Sequence, residues 1–138
     1  MADTDLSRLL LDAHRGLAAE IDASLAERRY PDVRPGHVAL VAHIDRRTGS
    51  RLTELAEAAG ISKQGMMLIA DELEARGYTR RVKDPADARA KRVRLTEKGK
   101  RMATEARRAV QQVESRTRRS LGDRRYEALR VALEALAE

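Results

Sequence analysis

Residues 51–96 read RLTELAEAAGISKQGMMLIADELEARGYTRRVKDPADARAKRVRLT, and this stretch decides the fold. Thr53 is placed to cap a short helix through Ala59, and Gly60 supplies the permissive backbone that a tight turn requires. Ser62 is placed to cap a second helix that runs to about Arg76, where Gly77 stands at a position that favours a left-handed C-terminal cap. Small Ala56 lets the two helices approach closely, while Leu55, Ile61, Met66, Ile69 and Leu73 fall at spacings that wedge the pair into a core. The pattern is that of a helix-turn-helix pair.

The residues after this pair narrow the reading. Tyr78 to Lys83 and Arg92 to Thr96 both alternate in the manner of strands, and between them lie the turn formers and charges of Asp84 to Lys91. Two short strands around a basic tip make a β-hairpin, to which Ser50 to Leu52 can add a third small strand. Thr96 is placed to cap a long helix to about Ser120.

Upstream, Leu6, Leu10, Leu17, Ile21 and Leu25 recur at helical spacing to about Arg28, where Tyr30-Pro31 ends the helix. Pro35-Gly36 opens another, with His37, Leu40, Val41 and Ile44 as its stripe, and Thr48-Gly49 terminates it. Downstream, Gly122-Asp123 precedes a last helix whose Tyr126, Leu129, Leu133 and Leu136 form a seam that invites a partner. The expected fold is mainly α with a small β wing. Residues 1–34 and 99–138 supply flanking helices for dimerisation, and residues 35–98 form the winged helix-turn-helix lobe, in one compact chain of 138 residues.

Composition agrees. With no Trp, no Phe and three Tyr, the core must be built from Leu, Val, Ile, Ala and Met, which favours helices. The absence of Cys excludes disulfides, thiolate zinc sites and thiol switches, and fits the cytoplasm. The opening Met1 to Leu11 carries acids rather than a basic leader, and no apolar run approaches the roughly 18 residues of a membrane span. The net charge is +6, and it is unevenly placed: Arg76 to Arg108 holds 13 basic and 4 acidic residues, a net of +9 that leaves −3 for the rest. Such a block is either a solvated face or the footprint of a polyanion-binding surface.

The stretch Leu52 to Gly99 resembles the winged helix-turn-helix core of MarR-type regulators, and the order of the flanking helices extends the resemblance over nearly the whole chain. The family's wing pattern of Asp, one residue, Arg, then Leu-Thr six residues after the Arg reads here as Asp87-Ala88-Arg89 and Leu95-Thr96, with Asp84-Pro85 ahead of it. The resemblance implies a dimeric regulator of transcription on double-stranded DNA, with helices from both chain ends interlocking the subunits. It implies that Arg89 enters the minor groove, that Asp87 orients it, and that Ser62, Lys63, Gln64 and Met67 belong to the recognition helix in the major groove. It also implies a small-molecule effector, often an aromatic acid, with repression as the usual mode.

Elementary chemistry supports those roles. Helix N-termini aim backbone N–H groups at phosphates, and the first turn of a recognition helix meets the bases. Lys63 suits guanine O6 or N7 and Gln64 suits adenine N6 and N7. Arg80, Arg81, Lys83, Lys91, Arg92 and Arg94 are expected to grip phosphates, which position the protein without reading sequence. The chain departs from the family at Met67 and Leu68, where polar residues are usual, and at Gly65, where Ser or Thr is common; glycine there costs about 1 kcal/mol of helix stability.

Other classes fare worse. His14, His37 and His43 with Asp45 form no His-x-x-x-His or His-Glu-x-x-His pair, and there is no nucleophile elbow or P-loop, so neither an enzyme nor a metal or cofactor site is expected. A sequence-indifferent protein that coats DNA or RNA would need the same wing and charge block, and remains the alternative. His14 and His37 lie on the stripes of the first two helices, as effector ligands or as core histidines bonded to backbone.

Overall fold

The computed structural model describes residues 3–138. Among these described residues, six helices and three strands occur in the order α1 (Leu6–Glu27), α2 (Pro35–His43), β1 (Ser50–Arg51), α3 (Leu52–Ala59), α4 (Lys63–Ala75), β2 (Thr79–Lys83), β3 (Lys91–Leu95), α5 (Glu97–Leu121) and α6 (Asp123–Leu136). The mainly helical fold with a small wing is the one expected from the sequence. Among the described residues no helix is long and apolar enough to cross a membrane.

Most boundaries arise from local chemistry. Ser62 Oγ accepts the Gly65 N–H at 3.0 Å and Thr96 Oγ1 accepts the Gly99 N–H at 3.0 Å, so both serve as the expected caps. The expected cap at Thr53 is a correction: α3 starts at Leu52 with Arg51 as its N-cap, because β1 runs straight into the helix and leaves no room for a separate capping residue. Helix α2 is also shorter than expected. It stops at His43, Ile44 turns to extended backbone, and Asp45 organises the next loop through Oδ1, which accepts the Arg47 and Thr48 N–H groups at 2.8 and 2.9 Å. Those two bonds hold the Asp45 carboxyl below the usual carboxylate range.

The sheet has the order β1-β3-β2, antiparallel throughout, with Thr79 opposite Leu95, Arg81 opposite Val93 and Ser50 opposite Val93 on the other edge. Thr79, Val93 and Leu95 face inward, while Arg80, Arg92 and Arg94 share the outer face. The sheet rests on the start of α5 at one point of unusual closeness. A Cβ on Gly99 would lie 1.9 Å from the Tyr78 carbonyl oxygen, so only glycine lets helix and hairpin meet there.

One core runs through the molecule. Leu25 from α1, Leu40 and Val41 from α2, Leu55 from α3, Met66 and Leu73 from α4, Val93 from β3, and Met102 and Ala106 from α5 are all buried in it. The second half of α1 is bound to α5 by polar links as well: Ser24 Oγ donates to Gln112 Oε1 at 2.6 Å, and Arg28 donates to Glu105 at 2.9 Å. The first half differs, since Leu6, Leu10 and Leu17 stay exposed, as do Leu129, Leu133 and Leu136 of α6.

Candidate nucleic-acid interface

Helix α4 presents its N-terminal half to solvent. Met66, Ala70 and Leu73 anchor one side in the core, and Ser62, Lys63, Gln64, Met67 and Leu68 are left on the other. The side chains of Lys63 and Gln64 have no hydrogen-bond or ion-pair partner among the described residues, so both donors are free for an incoming ligand. Gly65 has a local reason. A Cβ there would come within 3.0 Å of both Ser62 Oγ and Ile61 Cγ2, so a side chain would crowd the cap that starts the helix.

The acids on the other half of α4 are bonded from within. Asp71 accepts from Arg81 at 2.6 Å, Glu74 pairs with the same guanidinium, and Glu72 Oε2 lies 2.6 Å from His37 Nε2. His37 is 2% exposed, and its Nδ1 accepts the Arg34 N–H at 2.9 Å, which leaves Nε2 to donate to Glu72. Both ring nitrogens are therefore engaged. His37 ties α2 to α4 as a core histidine, whereas His14 sits exposed on α1.

At the wing, strands and tip have different electrostatics. Asp84 opens the tip loop with a side chain at 0% exposure, accepting from Arg51 Nε at 2.7 Å, Arg92 Nε at 3.1 Å and the Ala86 N–H at 2.8 Å. The Arg51 hydrogen bond, then that from the Ala86 backbone, hold its carboxyl down at about 2. Beyond it, Asp87 Oδ1 accepts the backbone N–H of Arg89 at 3.0 Å and leaves the Arg89 guanidinium exposed. Asp87 thus shapes the turn that carries Arg89 without holding its charged end.

The cations expected to grip phosphates divide accordingly. Arg80, Lys83, Arg89 and Lys91 are exposed, and their side chains have no acidic partner among the described residues. Arg81 is held by Asp71 and Glu74, Arg92 by Asp84 and the Gly49 carbonyl, and Arg94 donates to the Arg47 carbonyl at 2.8 Å. These three guanidinium groups brace the fold with part of their donors. Sequence reasoning missed Asp84 and Arg51 as the anchor of the wing, because nothing local in Asp84-Pro85 distinguishes a buried ion pair from a turn.

Away from this surface, a cavity of about 330 Å³ opens between α2 and α5, within the size range of small-molecule sites. Val41, Ala42, Ala103 and Val110 give it apolar walls, and Arg46, Arg107 and Gln111 supply its polar groups. Arg46 is already bonded to the Lys100 carbonyl at 3.1 Å and to Thr104 at 3.0 Å. Neither His14 nor His37 lines it.

A helix-turn-helix followed by a hairpin with free cations, on a scaffold of flanking helices, defines the winged helix-turn-helix class. Residues 32–90 match the sequence model of the MarR family. The transcriptional repressor CouR bound to a 23-mer DNA duplex is 26% identical, with a TM-score of 0.84 over 97% of this chain and 93% of that one. CouR from Rhodococcus jostii RHA1 bound to p-coumaroyl-CoA shares the fold at 23% identity and a TM-score of 0.80, over 96% and 92% of the two chains. A Mycobacterium tuberculosis MarR-family protein in complex with salicylic acid does so at 23% and 0.72, over 98% of each. By sequence, no curated protein matches the chain. The chain thus resembles MarR-family transcriptional regulators in the sequence of residues 32–90 and in its fold.

Proposed function

We propose that this protein is a sequence-specific regulator that binds double-stranded DNA as a homodimer on an inverted-repeat operator, and that it is a ligand-responsive repressor. The observation that carries the reading is the exposed first turn of α4, with Lys63 and Gln64 unpaired, beside a wing whose Arg80, Lys83, Arg89 and Lys91 are free. Helix N-terminus and cations together suit one groove and its flanking phosphates. The similarity to CouR, which was solved on a DNA duplex, supports duplex DNA as the partner.

Dimerisation is supported by the unburied leucines of α1 and α6, which lie on the two helices at the chain ends and would seal each other across a two-fold axis. Two-fold symmetry then sets half-site centres about one helical turn, roughly 10 bp, apart. For the effector, the cavity between α2 and α5 suits an aromatic carboxylate, with its ring between Val41 and Val110 and its charge toward Arg107. That site replaces His14 and His37 as the place to look for ligand contacts.

The test is selection of duplexes from a random pool by the full-length protein, followed by competition with bulk DNA at physiological salt. A regulator selects a site with dyad symmetry and prefers it by about a thousandfold or more. A preference near unity that vanishes with salt would instead establish the coating protein. Light scattering should give a dimer at micromolar concentration; a monomer refutes the two-fold reading.

A further inference from the structure

The exposed half of α4 is not purely polar. Met67 is 43% exposed and Leu68 60%, on a helix that already buries Met66, Ala70 and Leu73 on its other side. Residues four apart are neighbours on a helix surface, so Lys63 stands beside Met67 and Gln64 beside Leu68, and the four form one patch. Past that patch come Asp71, Glu72 and Glu74, whose carboxylates are bonded by Arg81 and His37 and leave this half of the helix acidic. The part of α4 suited to a polyanion is thus confined to its first half, and half of its large side chains there are apolar.

A surrounding of free cations selects the partner of this patch. Lys63 on the helix and Arg80, Lys83, Arg89 and Lys91 on the wing favour a polyanion over an apolar protein face or a helix. In the major groove of duplex DNA the apolar group on offer is the C5-methyl of thymine. We propose that Met67 and Leu68 read thymine methyl groups, so that part of the sequence preference is carried by methyl contacts rather than by hydrogen bonds. This rests on the α4 surface proposed above as the DNA reader. Gln64 and Leu68 are four residues apart along the helix, about 6 Å of rise, or just under two base-pair steps of about 3.4 Å. The thymine touched by Leu68 therefore lies one or two pairs from the adenine bonded by Gln64.

The experiment uses the full-length protein and the duplex it selects, with each thymine of a half-site replaced in turn by deoxyuridine. That change removes the methyl and keeps every hydrogen-bonding group, phosphate and minor-groove edge. At one or two positions the wild type should lose roughly fourfold in affinity per methyl, the value of burying one such group, with its salt dependence unchanged. Leu68→Ala and Met67→Ala should each become insensitive to uracil at one of those positions and keep the thermal stability of the wild type, since both side chains are exposed. Uracil without effect on the wild type at any position overturns the proposal, and so does an equal loss in the variants. Those outcomes leave the regulator reading intact. A protein that selects no sequence at all overturns both.

Discussion

At the base of the wing, Asp84 is shut off from water and gripped by Arg51 and Arg92, whereas at the tip Asp87 bonds backbone alone and leaves Arg89 exposed. Both ends are built from aspartate and arginine, with Asp84 and Asp87 only three residues apart in the chain. Their difference lies in whether the charges find each other inside the fold. The base uses opposite charges to fix the hairpin against β1, which engages part of the donors of Arg51 and Arg92. The tip keeps its cation unpaired in high-dielectric solvent, where a free guanidinium is available to a minor groove. The same division runs along α4, between the bare patch at Lys63 and Gln64 and the acids that His37 and Arg81 hold.

Variants can pull the two ends apart. The largest effect should come from beneath the base: Gly99→Ala places a methyl group 1.9 Å from the Tyr78 carbonyl oxygen and forces α5 away from the hairpin. Stability in urea should fall by about 3 kcal/mol or more, and an unchanged midpoint would mean that α5 shifts freely.

Next is Asp84→Asn, which should lower the unfolding midpoint at neutral pH and leave the wing loosely attached. Its pH dependence has a defined sign. With the folded carboxyl at about 2 and the unfolded one near 4, the unfolded chain takes up the proton first as pH falls. The stability due to Asp84 is thus present above about pH 4 and lost between about 4 and 2, so wild type and variant should converge over that window. A gap constant down to pH 2 would show that the ionised carboxylate does not anchor the wing.

A smaller, separable effect is expected at the tip. Arg89→Ala should cost about 1–3 kcal/mol of operator binding, most on A·T-rich flanks, while its melting temperature stays that of the wild type. Arg92→Ala should do the opposite in order: it melts earlier, since it loses Asp84, and weakens binding only through the misplaced wing. If Arg92→Ala keeps its stability and loses affinity, the base contacts phosphate after all. Smallest of all, Lys83→Ala or Lys91→Ala should reduce the slope of log affinity against log salt by about one unit each, with little change in sequence preference. A slope unaffected by either would place the wing away from the backbone.

Local signals in the sequence were enough for the elements. Ser62 and Thr96 cap helices because a short hydroxyl precedes an apolar periodic run, and Gly60 and Gly77 adopt positive φ at 66° and 80° because each ends a helix at a turn. The alternation around Asp84 to Lys91 marked the hairpin for the same reason. The site was only half legible: exposure of Lys63, Gln64 and Arg89 is set by their place on a helix start and a loop tip, which local structure alone settles.

Whether the strand arginines face DNA or the fold is a different kind of question. Arg51 and Asp84 are 33 residues apart, Arg81 meets Asp71 and Glu74 across a turn, and His37 meets Glu72 from another helix. Nothing in the periodicity around any of them encodes the partner. By itself the sequence determined the helices, the hairpin, the concentration of positive charge and the placement of an exposed helix start before a basic tip. Tertiary packing alone decided which cations remain free, that Gly99 lies against Tyr78, that His37 is sealed in the core, and that the cavity opens between α2 and α5. The physical reason is range: caps, turns and amphipathic stripes are energies between near neighbours in the chain, whereas an ion pair or a cavity exists only once distant segments are brought together.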